Sequence, residues 1–250
     1  MGGHSHWSTI KRHKGAQDAR RGKIFTKIIR EVTIAARHGS DPEGNPALRT
    51  ALSKAKEANM PADTIKRAIQ RGTGELPGVQ YEEFNLEGYG PGGTGILLEI
   101  TTDNRNRTVA EIRNLFGKNH GNMAEAGAVA WQFEKKGLLI VDDAQVKEDD
   151  LLSLSLEAGA EDFKHNASCF EITTAPPDFE SVKEALEGAN ISPSLAEVTF
   201  LPQNLVALEE KAAIQMLKLM EILDDQEDVQ KVHANFDISD EIMEKVAAAE

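Results

Sequence analysis

The chain has 250 residues, of which 40% are hydrophobic and 28% charged, and its formal net charge is −13. Its single cysteine excludes an internal disulfide framework and a cysteine-rich zinc site. No apolar run approaches the ~18–20 residues that span a membrane, and no secretory signal is recognisable, so we expect a cytoplasmic protein without membrane contact. The length is typical of two domains, with one or three also within range.

Positive charge is concentrated in the first third of the chain. Residues 1–76 contain 15 lysines and arginines against 7 aspartates and glutamates, a balance of +8, whereas residues 77–250 contain 13 against 34, a balance of −21. Clustered Lys and Arg release counterions from phosphate backbones, which favours contact with nucleic acid. A solvated basic face explains the same charges, and both interpretations stay open at this point.

Residues 1–78 are predicted to form a basic helical domain with a flexible N-terminal arm. The arm, residues 1–21, has few apolar anchors. Apolar residues recur with helical periodicity over residues 22–38, with basic residues on the opposite arc. Further helices are predicted over residues 46–59 and 61–72, because proline favours the first helical position. Three helices joined by short loops predict a small bundle.

After residue 78 the apolar period changes from 3.6 to 2, which indicates strands. Strands are predicted over residues 81–89, 95–102 and 128–134, and Thr108 and Glu111 predict a capping box at the start of a helix. A later helix over residues 209–223 and a strand over residues 229–236 complete a β-β-α-β…α-β set.

Residues 135–204 separate the two parts of that set. Their pattern is β-α-β-β-α-β, which is typical of a ferredoxin-like domain. We therefore predict an α+β fold, with an N-terminal three-helix domain and two ferredoxin-like α/β domains, one inserted in the other. The interrupted domain covers residues 79–134 and 205–240, and the inserted domain covers residues 135–204.

Enzyme motifs are missing from the sequence. The glycine-rich segment 90–95 lacks the Lys-Ser/Thr of a P-loop and is interpreted as a strand connection. His4, His6 and His13 have no carboxylate or cysteine at usable spacing, so we predict no metal site and no cofactor. The acidic run at residues 224–228 is interpreted as a solvated surface. We expect a protein that is not an enzyme.

Two groups of residues are candidates for nucleic-acid binding. The first combines Trp7, which can stack on a base, with the basic residues of the arm and first helix, namely Lys11, Arg12, Lys14, Arg20, Arg21, Lys23, Lys27 and Arg30. The second is Arg105 and Arg107 at a helix start, where free N–H groups and the helix dipole favour an anion. Pairing of these two arginines with surface carboxylates is an equally good interpretation.

Several sequence blocks resemble the YebC family, which includes the mitochondrial translational activator of cytochrome c oxidase. They are GHSHW at 3–7, IKRHK at 10–14, DARRGKIFTK at 18–27, ANMP at 58–61, AIQRG at 68–72, GYGPGG at 88–93 and TDNRNRT at 102–108. His6 stands where the family usually has lysine, which removes one charge from the arm. The resemblance implies one helical and two α/β domains and a non-enzymatic role in gene expression.

The resemblance implies two alternative functions. A DNA-binding transcriptional regulator would bind DNA through the helical domain and arm, and would use the acidic domains for self-association or partner binding. Against it, no clear helix-turn-helix is recognisable, and the third helix offers only Lys66, Arg67, Gln70 and Arg71. A ribosome-associated translation factor would bind rRNA or tRNA by shape, phosphate and 2′-OH contacts, and would assist synthesis of proline-rich stretches.

Overall fold

The computed structural model describes residues 18–166, 168–239, 241–243 and 245, with side chains from residue 22 onward. Helices and antiparallel sheets dominate these residues, which confirms the α+β class. The described residues divide into two compact units, residues 18–129 with 209–232, and residues 130–208 with those from 233 onward. The helical part and the interrupted α/β part fall in the same unit. The three-domain boundaries at residues 78, 134 and 204 therefore stay a prediction.

The helices and strands follow one another closely along the described chain. In chain order they are α1 (Asp18–Ala35), α2 (Pro46–Glu57), α3 (Ala62–Gly72), β1 (Glu82–Tyr89), β2 (Gly95–Thr102), α4 (Arg105–Lys118), β3 (Asn122–Ala124), β4 (Phe133–Asp142), α5 (Glu148–Ala158), β5 (Ala160–Asn166), β6 (Cys169–Thr174), α6 (Phe179–Gly188), β7 (Leu195–Pro202), β8 (Val206–Ala207), α7 (Glu210–Asp224), β9 (Val229–Ala234) and β10 (Phe236–Asp237). No helix among the described residues combines the length and apolarity needed to cross a membrane.

Helices α1, α2 and α3 form the predicted bundle. Asn45 begins α2 by accepting a hydrogen bond from the Leu48 backbone N–H, and Pro46 occupies the first helical position. The bundle core consists of apolar side chains spaced three or four residues apart, among them Ile28, Val32, Leu48, Ala51, Ala55 and Ala68. At Gly72 a Cβ atom would lie only 2.3 Å from the Thr33 carbonyl oxygen, so the end of α3 packs directly against the backbone of α1.

The sheet that follows the bundle has the strand order β3-β1-β2-β9. The predicted strand at residues 128–134 is wrong, because residues 130–132 form a short 3₁₀ turn and β3 pairs with β1 instead. The Glu87 carboxylate explains this difference: it accepts hydrogen bonds from the Gly127 and Val129 backbone N–H groups, both at 2.6 Å. These backbone donors are thus bound to a side chain and do not join a strand ladder.

The start of α4 also differs from the predicted capping box. Asn104 caps this helix by accepting a hydrogen bond from the Arg107 backbone N–H. Thr108 is fully buried, and its hydroxyl donates to the Asp228 carboxylate at 2.6 Å. Asn104 caps the helix in place of Thr108 because Asn104 has extended backbone and directly precedes Arg105, the first helical residue, whereas Thr108 lies inside the helix.

The sheet of the second unit has the strand order β5-β6-β4-β7, with neighbouring strands antiparallel. Together with α5 and α6, this is the split βαβ arrangement predicted for residues 135–204. Its core lies between the sheet and the two helices and includes Leu139, Val141, Leu151, Phe170, Ile172 and Val182. The β3-β1-β2-β9 sheet has the predicted β-β-α-β…α-β element order, but its strand order is not the ferredoxin-like one.

Candidate nucleic-acid interface

The basic residues of α1 contact an acidic segment of the same unit. Lys23 Nζ lies 3.3 Å from Asp225 Oδ2, and Lys27 Nζ donates to the Asp224 carbonyl oxygen at 2.6 Å. The partners belong to the end of α7 and the turn that follows it, residues 224–228. Spacings of three and four residues place the basic side chains on one side of α1, so a single acidic turn can contact all of them.

Arg30 is the most buried member of this group, with 8% of its surface exposed. Its guanidinium forms an ion pair with Asp228 at 2.8 Å and donates to the carbonyl oxygens of Thr101 and Glu227. The guanidinium carbon lies over the Tyr81 ring, 5.7 Å from the ring centroid. Arg30 therefore connects α1 to the sheet through buried polar contacts.

Asp228 is the centre of this buried network and is only 2% exposed. Its carboxylate accepts hydrogen bonds from Thr108, Thr102 and Arg107 at 2.6, 3.2 and 3.0 Å. Burial acts to raise the pKa of Asp228, but the hydrogen bonds and the two guanidinium charges outweigh burial and hold the pKa below its usual value. The carboxylate is therefore ionised at neutral pH and bridges Arg30 and Arg107.

This network changes the interpretation of the acidic run at residues 224–228. The prediction of a solvated surface is wrong for Asp228, which is buried and has polar partners at both carboxylate oxygens. Lys23, Lys27 and Arg30 have partners within their own unit in this conformation. Their assignment to nucleic-acid binding stays a prediction, and their observed contacts hold the bundle against the sheet.

Arg105 and Arg107 also have acidic neighbours. Arg107 Nη2 lies 2.7 Å from Asp103 and 3.0 Å from Asp228, and hydrogen bonding to Asp228 and then Asp103 raises the pKa of the guanidinium. Arg105 stacks over the Phe84 ring, with its guanidinium carbon 4.0 Å from the ring centroid, and lies 3.9 Å from Glu82. Their carboxylate contacts agree with the alternative interpretation, and their role in binding stays a prediction.

The candidate residues of the N-terminal arm have no described side chains. Trp7, Lys11, Arg12 and Lys14 fall outside the described residues. Arg20 and Arg21 belong to α1, but their side chains are not among those described. The N-terminal histidines also lie outside, and the described residues contain no group of three side chains suited to a metal ion.

The exposed basic surface of the bundle lies on α3 and α2. Lys66, Arg67 and Arg71 are exposed, and Gln70 is half-buried beside them. On a helix with 100° per residue these four fall on one arc, opposite Ile65, Ala68 and Ile69 of the core side. Arg49 and Lys56 of α2 are also exposed. None of the five basic side chains forms an ion pair with another described residue.

The turn between α2 and α3 is short and tightly defined. It covers four residues, 58–61, and Asn59 has a positive φ of 54°, a conformation that asparagine tolerates better than most residues. Met60 is buried in the bundle core. This turn is of the length found in helix-turn-helix motifs. The sequence contained this signal in Asn59 and in the helical spacing of α3, which places Ile65, Ala68 and Ile69 inward, but it did not show that the basic residues on the opposite arc lack ion-pair partners.

An apolar groove borders the polar arc of α3. Its apolar lining includes Leu52, Ile65 and Ile69, and its polar lining consists of Lys66, Gln70 and Glu75. The groove has a volume of about 410 Å³, which is at the lower end of the ~300–1,000 Å³ typical of ligand pockets.

Comparison with known proteins agrees with this architecture. The chain is an α+β protein with a basic helical bundle, and it belongs to the TACO1/YebC family. The model of the TACO1/YebC N-terminal domain matches residues 5–75, and that of the TACO1/YebC second and third domain matches residues 81–236. The recognition of this family from sequence blocks is thereby confirmed.

Relatives with high identity span the whole chain. A protein of Koribacter versatilis named "Probable transcriptional regulatory protein" is 56% identical over 247 residues, covering 99% of this chain and 100% of the relative. One of the same description from Desulfotalea psychrophila is 55% identical over 249 residues, again covering 99% and 100%. The crystal structure of a conserved hypothetical protein from Aquifex aeolicus is similar with a TM-score of 0.81 at 45% identity, covering 90% of this chain and 94% of that chain.

Proposed function

We propose that the protein is a nucleic-acid-binding regulator of gene expression, acting as a DNA-binding transcriptional regulator in the cytoplasm. One observation carries this proposal: five exposed basic side chains of α2 and α3 have no ion-pair partner among the described residues, although the chain has a formal net charge of −13. Exposed positive charge on an otherwise acidic protein favours a polyanionic partner. The names of the relatives, probable transcriptional regulatory proteins, agree with this function.

The N-terminal arm would add to this surface. Its aromatic residue Trp7 and its basic residues Lys11, Arg12, Lys14, Arg20 and Arg21 provide the base-stacking and phosphate-pairing groups that nucleic-acid proteins combine. The last residues of the predicted arm, 18–21, belong to the start of α1, so the arm would extend the basic surface of the bundle. Arg105 and Arg107 would contribute to binding only after exchanging their present carboxylate partners for phosphate.

A non-enzymatic role fits the same observations. The relatives are named as regulatory proteins, and the sequence lacks nucleophile, P-loop and metal-binding motifs. The buried carboxylate of Asp228 is held by Arg30, Arg107 and two threonines, which is the environment of a structural ion pair. Such a carboxylate is not available as a general base.

A second candidate function is that of a ribosome-associated translation factor that binds rRNA or tRNA. The observation that favours it is the apolar groove lined by Leu52, Ile65 and Ile69 together with Lys66. A base splayed out of single-stranded RNA would bury its face against these apolar side chains while Lys66 contacts the phosphate. The acidic part of the chain would then face ribosomal proteins or a second copy of the chain.

The test is binding of the full chain to a mixed-sequence 30-bp DNA duplex and to an rRNA fragment, measured by fluorescence anisotropy over a salt series. We expect the logarithm of the binding constant to fall linearly with the logarithm of salt concentration, with a slope near −0.9 for each phosphate contacted on duplex DNA. Neutralising Lys56, Lys66 and Arg67 with glutamine should reduce this slope. The matched control replaces three exposed lysines outside the bundle, Lys135, Lys147 and Lys211, and should leave the slope unchanged. Binding of neither probe at low salt would contradict the proposed function.

A further inference from the structure

We infer that α3 is the helix that enters the major groove of B-form DNA, with Gln70, Lys66 and Arg67 directed at base edges. This inference rests on the proposed function, because it specifies the surface and the form of nucleic acid that are used. The basic residues of the polar arc of α3, like Arg49 and Lys56 of α2, have no ion-pair partner among the described residues, whereas those of α1 do.

The dimensions of α3 suit this groove. Its 11 residues give a length of about 16 Å at a rise of 1.5 Å per residue. The major groove of B-DNA is about 12 Å wide and admits an α-helix. The arc opposite the core carries Lys66, Arg67, Gln70 and Arg71 together with Asp63, the one acidic residue of the helix, which lies in the first turn.

The bundle supports α3 in the manner of a helix-turn-helix scaffold. Four residues connect α2 to α3, and Met60 in this connection is buried in the core. At the other end, the close approach of Gly72 to the Thr33 carbonyl oxygen fixes the end of α3 on α1. A helix held at both ends presents its outer arc in one orientation, which base recognition requires.

The side chains on the outer arc have different positions and therefore different expected roles. Gln70 lies near the middle of the arc and can form a bidentate contact with adenine N6 and N7. Lys66 and Arg67 flank it and can donate to guanine O6 and N7. Arg71 lies at the edge, with its aliphatic stem close to Gly78, so its guanidinium is placed for a phosphate contact.

The form of nucleic acid follows from the shape of the surface. The deep, narrow major groove of A-form RNA does not admit side chains from a helix of this kind. An outward-facing helix with long polar side chains therefore favours B-DNA over an RNA duplex. In this arrangement α1 acts as the scaffold, because its basic residues Lys23, Lys27 and Arg30 are occupied by the acidic turn.

The test uses the full chain and a duplex selected from a random-sequence 20-bp pool by the wild-type protein. Affinities for this duplex, a scrambled duplex of the same composition and an RNA duplex of the same length are measured at one salt concentration. We expect Gln70→Ala and Arg67→Ala each to reduce the preference for the selected over the scrambled duplex by about 5- to 100-fold. Arg71→Ala should weaken binding to both DNA duplexes equally. Lys135→Ala should leave the affinity for each duplex unchanged.

The possible outcomes separate this inference from the proposed function. If the wild type prefers the selected duplex and Gln70→Ala and Arg67→Ala keep that preference while folded by circular dichroism, α3 does not read the bases and the inference is overturned. Equal affinity for selected, scrambled and RNA duplexes also overturns it, although nucleic-acid binding stands. Failure of the wild type to bind any of the three probes removes the proposed function itself.

Discussion

Two basic surfaces on the same three-helix bundle have opposite environments. The stripe on α1, formed by Lys23, Lys27 and Arg30, contacts the acidic residues 224–228, and Arg30 is buried. The polar arc of α3 also carries three basic residues, but these are exposed and have no ion-pair partner among the described residues. The comparison shows that the role of a basic surface depends on whether another part of the chain supplies acidic partners for it. The number of charges along one helix does not reveal this.

The largest loss of stability is expected when the contact between α1 and residues 224–228 loses the negative charge of Asp228. Asp228→Asn leaves Arg30 and Arg107 beside a neutral, buried amide, and loss of one partner from a buried ion pair costs about 3–5 kcal/mol. We expect the free energy of unfolding in urea to fall by that amount. Asp225→Asn is the matched control, because Asp225 and its partner Lys23 are only half-buried, and it should cost less than about 1 kcal/mol. Equal effects of the two changes would show that burial does not distinguish the pairs.

The packing of α3 on α1 can be tested at the close backbone contact. In Gly72→Ala the new methyl group would lie 2.3 Å from the Thr33 carbonyl oxygen and 2.7 Å from Ala36 Cβ, so the helices must separate. Overpacking of this kind costs about 1–3 kcal/mol in the free energy of unfolding. Gly44→Ala, where a Cβ would contact nothing within 4 Å, serves as the control. An unchanged melting temperature in Gly72→Ala would show that α3 is not held against α1 as described.

The pH dependence of stability gives a third test of the α1 contact. The pKa of Asp228 is lowered in the folded state, so its contribution is fully present above the unfolded-state pKa of about 3.9 and is lost as the pH falls through the folded-state value. The difference in unfolding free energy between the wild type and Asp228→Asn should therefore be constant from pH 6 to 5 and shrink below about pH 4. A difference that stays constant down to pH 2 is incompatible with a lowered pKa of Asp228 in the folded protein.

The smallest effect is expected at the exposed end of the α1 stripe. Lys23→Gln removes a surface pair with Asp225, and such pairs contribute about 0–1 kcal/mol and are screened by salt. We expect a loss within this range at low salt and none at 1 M sodium chloride, measured by urea unfolding. A loss that persists at high salt would instead indicate that Lys23 packs through its aliphatic stem.

Local sequence signals predicted most of the fold. The periodicity of α1, the prolines at the start of α2 and α3, and the β-α-β-β-α-β order of residues 135–204 all appear in the structure. The errors occurred where a distant side chain decides the local conformation. The Glu87 carboxylate binds the backbone of residues 127–129 from about 40 residues away, and no pattern within that segment encodes this contact.

The candidate site was predictable in its charge but not in its geometry. The excess of Lys and Arg in the first 76 residues is visible in the sequence, and the polar arc of α3 can be derived from helical spacing. Pairing of Arg30 with Asp228 joins residues nearly 200 positions apart, and Arg107 shares the same carboxylate. Contacts at that separation depend on how the elements pack, so the sequence alone could not show which basic stripe is occupied.

The central claim is that the α1 stripe supports the fold whereas the α3 arc binds nucleic acid. The most direct test compares Lys23→Gln/Lys27→Gln with Lys66→Gln/Arg67→Gln, two variants with the same change in charge. For both, the salt dependence of binding to a mixed-sequence duplex is measured by anisotropy. A mixed-sequence duplex lacks the preferred bases, and non-specific binding is electrostatic, so Lys66 and Arg67 contact phosphates on this probe. The account predicts that the α3 variant loses about 2 units of the log–log slope, near 0.9 for each phosphate contact, while the α1 variant keeps the wild-type slope. Loss of slope in the α1 variant with the α3 variant unchanged would contradict it.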